Sequence, residues 1–154
     1  VTTTLRPTTE LVAVAWLQSL FSDPMVATTL PKPGADGSIS WQSTGFVVPT
    51  VVGGSPDLYI PTRNPVIGVD TWAAKLNSQK VPWDLANNIA EEIWASFSVK
   101  ENFNSELTIT KGAVTYPSVK VLEAWSHTEI RRISNDPAGY AHYSFDMGFS
   151  WVEI

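Results

Sequence analysis

The chain has 154 residues, 44% of them hydrophobic and 16% charged, with seven tryptophans and no cysteine. This composition supports a single packed domain over residues 1–154, and it excludes a disordered chain, disulfides, thiolate metal sites and a cysteine nucleophile. Ten basic against fifteen acidic residues give a net charge of −5, and no Lys/Arg cluster is longer than Arg131-Arg132, so there is no basic footprint for binding a DNA duplex.

In chain order, residues 7–21 read as a helix. Pro7 suits a first helical turn and Glu10 sits near the positive end of the helix dipole. Leu11, Val14, Ala15 and Leu17 fall toward one side, Val12 and Trp16 toward the other, so more than one neighbour should bury the helix. The apolar run Leu11 to Leu17, seven residues, is far short of the roughly 20 needed to cross a bilayer. Only Arg6 precedes it and Glu10 abuts it, which is poor signal-peptide chemistry. A soluble, unsecreted protein with no membrane partner is expected.

Residues 24–45 read as a long irregular arm, rich in Pro and Gly. It also carries Met25, Val26, Leu30, Ile39 and Trp41, so it should lie on something; loops of this length are usually functional. Phe46 to Val52 reads as a strand, with Pro49 marking an edge or bulge. Gly53 to Asp57 is a turn cluster, Leu58-Tyr59-Ile60 a short strand, and Pro65 to Ala73 a clearer one. A second helix starts at Trp83 or Asp84 and runs to Phe97, with Ala86, Ile89, Ala90, Ile93 and Phe97 at helical spacing. Residues 107–116 suggest a hairpin around Lys111-Gly112. Val119, Val121, Glu123 and Trp125 alternate with Lys120, Leu122 and Ala124. After a turn at 136–139, Tyr143, Phe145, Met147, Phe149 and Trp151 give the strongest period-two signal in the chain. The fold class is α+β: a small mixed, mainly antiparallel sheet with two helices packed on one face. Long extended loops would reach neighbouring subunits. Open sheet edges favour an oligomer that covers them.

Chemistry is sparse. His127 and His142 fit no zinc spacing and read as surface or strand-end residues. No nucleophile elbow or phosphate-binding glycine loop occurs. Asp70 and Asp146, both on strands, are the one carboxylate pair that invites a glycosidase reading; the alternative is two solvent-side residues of half-buried strands. No catalytic residue, metal or cofactor is assigned, and the protein is not expected to be an enzyme. Trp16, Trp83, Trp94 and Trp125 read as core. Trp41, Tyr59 and Arg63 fall in irregular segments instead and are candidates for subunit or ring contacts, with local loop packing the alternative for the aromatics. Arg131 and Arg132 are second candidates, for pairing with a neighbour's carboxylates.

Several strings resemble a known family. Residues 5–17, LRPTTELVAVAWL, are similar to the opening of tail terminator proteins of long, non-contractile-tailed phages that infect actinobacteria. Thr44 to Val47, Val52 to Pro61, Pro65-Val66 and Val69 to Ala73 continue the likeness. So do Pro82-Trp83, Ala86-Asn87, Ala90-Glu91, Tyr140 to Tyr143 and Phe145-Asp146. The likeness spans most of the chain and is weakest over residues 98–120. It implies a small mixed sheet flanked by helices and a hexameric ring on the head-proximal end of the tail tube. Such a ring is a virion component of the neck, assembled in the host cytoplasm. Its partners would be further copies of the chain, the major tail tube protein and a head-tail connector or head-closure protein. Genomic DNA would pass through the lumen without specific binding. A ring needs heterologous contacts, one patch meeting a different patch on the next subunit. Two other readings stand beside it: a head-closure or connector ring of the same neck region, and a carbohydrate- or peptide-binding module using exposed tryptophans.

Overall fold

The computed structural model describes residues 6–55, 59–75 and 80–154. Leu58 of the expected short strand, and Pro56-Asp57 of the turn before it, lie outside these residues. Helix α1 is Thr9–Leu20. Thr8, in an extended conformation, caps it, its hydroxyl accepting from Leu11 N at 3.3 Å. Pro7 therefore sits one residue before the cap, not in the first turn. The fully buried side of α1 is Val12, Ala13, Trp16 and Leu17, while Leu11, Val14 and Ala15 are half-buried. Helix α2 is Trp83–Ser96 and buries Ala86, Ile89, Ala90 and Ile93, the expected stripe. Its N-cap is Pro82, without a side-chain cap; Asp84 lies inside the first turn, where it complements the helix dipole.

The strands are β1 (Met25–Val26), β2 (Phe46–Gly54), β3 (Pro65–Ala73), β4 (Glu106–Leu107), β5 (Thr110–Lys111), β6 (Val114–Thr115), β7 (Val119–Ser126), β8 (Arg131–Ile133) and β9 (Ala141–Glu153). Among the described residues the main sheet runs β1-β2-β3-β9-β7-β4, with β8 also on β9. Only the β1–β2 pair is parallel. Strands β5 and β6 form the separate hairpin around Lys111-Gly112. Tyr59 and Ile60 are in a bend, not a strand.

β9 holds the sheet together. β3 pairs along one edge, from Ala73↔Ala141 to Val66↔Gly148. The other edge is shared: β7 pairs with residues 147–153 and β8 with residues 142–144. Between them the main-chain N–H groups of His127 and Thr128 both donate to Asp146 O, and Asp146 N donates to the Thr128 hydroxyl at 2.8 Å. The ladder thus continues through the gap with a side chain as substitute acceptor.

The two faces of the sheet differ. Ile67, Val69, Phe145, Met147, Phe149 and Trp151 meet both helices in the main core. Trp16 fixes α1 there, donating from Nε1 to Asn102 O at 2.8 Å and packing its ring on Phe97, Phe103 and Phe149. Among the described residues the opposite face carries no helix. At one end of that face the 24–45 arm and the 134–140 turn cover it. His142 lies there between two carboxylates, Nε2 at 2.8 Å from Asp70 Oδ1 and Nδ1 at 3.3 Å from Asp136 Oδ1, and stacks on Trp72 at 4.4 Å. Asp136 also accepts from Trp72 Nε1, Ala138 N and Tyr140 N, tying the turn to the sheet.

One expected alternation fails. A register shift between Val121 and Glu123 leaves Val119, Val121 and Ala124 buried. A β-bulge of this kind turns every later side chain to the other face. Trp125, expected in the core, is therefore 41% exposed on the helix-free face. It lies flat on Gly148, where any Cβ would overlap the indole.

The arm enters β2 through Gly45, at φ 82°. A Cβ there would overlap Ile89 of α2 and sit 3.2 Å from Trp72 O. Left-handed backbone and a filled site both oppose a side chain. Gly45→Ala is expected to lower stability by about 2 kcal/mol or more, read as a fall in the urea midpoint with an unchanged slope.

Candidate assembly surfaces

The five sequence candidates fall in three places: Trp41 in the arm, Tyr59 and Arg63 in the loop between β2 and β3, and Arg131 and Arg132 on β8. Trp41 is 1% exposed. It packs edge-on against Phe46 at 5.9 Å and Tyr140 at 5.2 Å, in a second apolar cluster with Val48, Ala74, Leu30 and Ile39. This corrects its reading as an exposed anchor. The arm does lie on something, namely its own sheet, because Phe46 and Val48 on the helix-free face would otherwise be bare. The arm's outer bend is closed by Asp36, which accepts from Ser38 N at 3.0 Å. Hydrogen bonding from Ser38, side chain first and then backbone, holds the Asp36 carboxyl below the usual aspartate range.

Tyr59 and Arg63 share the loop that joins β2 to β3. Tyr59 is 94% exposed. Arg63 is pinned by its main chain: its N–H donates to Trp151 O at 2.9 Å, and Trp151 N donates back at 3.0 Å. Its guanidinium stands 5.2 Å from the centre of the Trp151 ring, a cation–π arrangement that keeps the charge at the surface. No carboxylate pairs with it among the described residues.

Arg131 and Arg132 are exposed on β8, opposite Ser144 and Tyr143, and so lie well along β9 from Trp151. The Arg132 guanidinium sits 3.8 Å over the Trp83 ring at the start of α2. It is engaged within its own chain, and Arg131 is left as the exposed cation of that strand.

The end of the molecule around Tyr59 and Arg63 holds apolar residues that sequence reasoning missed. From Thr50 onward every residue of β2 is exposed. Val52 is 57% exposed, Ile60 55% and the C-terminal Ile154 59%. Val51 N donates to Glu10 of α1, and Arg6 lies 3.2 Å from Glu153, so these elements converge at one end. The alternation in β2 could not reveal this, because it says which face a residue takes but not where the covering layer stops. Gly53-Gly54 does signal the irregularity there: the register with β3 shifts between Val51 and Gly53, and at Gly54, φ 110°, the backbone of Asn64 and Pro65 approaches too closely for a side chain.

The sequence pair Asp70 and Asp146 lies on the helix-free face of adjacent strands, Asp70 opposite Ser144 and Asp146 opposite Gly68. Both are half-buried. Asp70 is occupied by His142. His127 is exposed, as expected, whereas His142 is the half-buried partner of Asp70. The described residues include no cluster of three or more His, Asp and Glu suited to a metal ion, and no helix long and apolar enough to cross a membrane.

Trp41→Ala is expected to cost about 3–5 kcal/mol of stability, as for other fully buried aromatics. Tyr59→Ala is expected to stay within about 0.5 kcal/mol of the parent. Denaturant titration of the two variants side by side tests the division between core and surface. No protein-family model matches the chain, and no curated protein matches it.

Proposed function

We propose that the chain is a structural virion protein, a tail terminator whose ring caps the head-proximal end of a phage tail tube. In that role it stops tube polymerisation and offers a docking surface to the head connector. Two things support the reading. One is the resemblance carried by residues 5–17 and by the short strings within 44–73, 82–91 and 140–146. The other, which carries it physically, is the surface at one end of the molecule. Val51, Val52, Tyr59, Ile60 and Ile154 are exposed toward that end, five of the nine large apolar side chains exposed among the described residues. Apolar side chains gathered at one place, with a cation among them, are what a recurring protein contact uses.

Termination then needs no chemistry. A subunit matches the tube end on one side and presents an unrelated surface on the other, so no further tube subunit adds. The net charge of −5 suits a lumen through which DNA slides, since lysine-rich walls would retain it.

The test mixes the purified chain with tail-tube subunits and images the products by electron microscopy. Short tubes with a distinct cap at one end are the expected result. Tubes that elongate freely, with the chain unbound, contradict the proposal. Binding only to the portal side of a connector would assign the chain to the head-closure ring instead.

A further inference from the structure

A closed ring needs two different faces on each subunit, and the exposed hairpin end supplies one. The other is found by looking for its complement in shape and charge. Asp23, just after α1, and Glu92 on α2 flank a groove of about 440 Å³ floored by Leu85 and Ile89. Past Glu92 it adjoins a second depression of about 370 Å³ lined by Leu20, Phe21 and Val99. Val99 is itself 42% exposed. Both carboxylates are exposed, Glu91 is exposed beside them, and neither depression is lined by a Lys or Arg. The groove is thus apolar in its floor and acidic at its rim.

Its location suits a head-to-tail contact. Thr44 and Ser43 border the groove where β2 begins, and the exposed hairpin end lies where β2 finishes. The nine residues of β2 separate them, a span of roughly 30 Å at the usual strand rise. A subunit therefore cannot fill its own groove with its own hairpin end, whereas a second copy can. We infer that the Asp23–Glu92 groove receives residues 59–63 of a neighbouring copy, with Tyr59 and Ile60 on the apolar floor and Arg63 against the two carboxylates. The contact is heterologous, so it repeats around a ring. The inference rests on the assembly role proposed above and names the two faces that meet.

Two experiments on the full chain test it. The chain has no native cysteine, so Tyr59→Cys combined with Asn88→Cys introduces the only thiols. A short bismaleimide added to the assembled protein should give a ladder of dimers and higher species on a denaturing gel. Either substitution alone should give no ladder beyond dimer. The second experiment exchanges charge. Arg63→Glu alone, and Asp23→Arg with Glu92→Arg, should each weaken self-association about tenfold or more, and all three together should restore it. Sedimentation reads the association, and urea midpoints close to the parent's confirm that each variant is folded.

Rings that still form and cap tubes while the charge exchange has no effect and no ladder appears would overturn the assignment of faces and leave the terminator reading standing. A parent chain that neither self-associates nor caps tubes would overturn both. A ladder and rescue without tube capping would support the contact and count against the terminator role.

Discussion

The structure depends on β9 having partners along both of its edges. A thirteen-residue strand, with β3 along residues 141–148 and the Arg63 main chain at Trp151 on one side, and β7 and β8 on the other, can sit in the middle of the sheet. Its odd-numbered side chains then face both helices, and Phe145, Met147, Phe149 and Trp151 form the centre of the core. The gap between β7 and β8 interrupts one edge, and the Thr128 hydroxyl bridges it. An interrupted edge leaves two buried main-chain groups at stake, and a single unpaired one costs about 1–3 kcal/mol.

From this follows an uneven distribution of cover. Two helices are enough for one face. The opposite face has only the arm and the 134–140 turn, which gather over Phe46, Val48, Trp72 and His142 and stop there. Polar and glycine positions continue that face: Gly68, Asp70, Ser144, Asp146 and Gly148. Of these, Asp70 and Asp146 are half-buried, whereas Gly68, Ser144 and Gly148 are buried, with the Trp125 indole lying over Gly148. Apolar exposure is concentrated instead where β2 outruns α1.

Much of this was legible in the sequence. The two helices, the antiparallel majority and the alternation of β9 follow from periodicity alone, because each has a covered face along its length. The α2 stripe at Ala86, Ile89, Ala90 and Ile93 is the clearest case. What failed to read were features decided by a neighbour. The bulge at Leu122 reverses Trp125, and nothing in the composition of β7 announces it. Trp41 looks like a loop residue in sequence because its partners, Phe46 and Tyr140, are reached only when the arm folds back. The candidate surfaces divide the same way. Tyr59 and Arg63 were found from their setting, whereas the Asp23–Glu92 groove joins residues far apart in the chain that meet only when α1 ends beside α2.

Pro49 has a consequence of its own. Ala27 N donates to Val47 O and Val51 N donates to Glu10, so odd-numbered residues of β2 direct their main-chain groups outward, away from β3. Pro49 is in that phase, and its ring stands where an outward N–H would be. Beyond the short β1, the sheet margin thus offers an interrupted row of donors, one absent and one taken by a glutamate. An incoming strand from a stray or half-folded copy finds no continuous template. Such a margin is a poor seed for edge-to-edge aggregation.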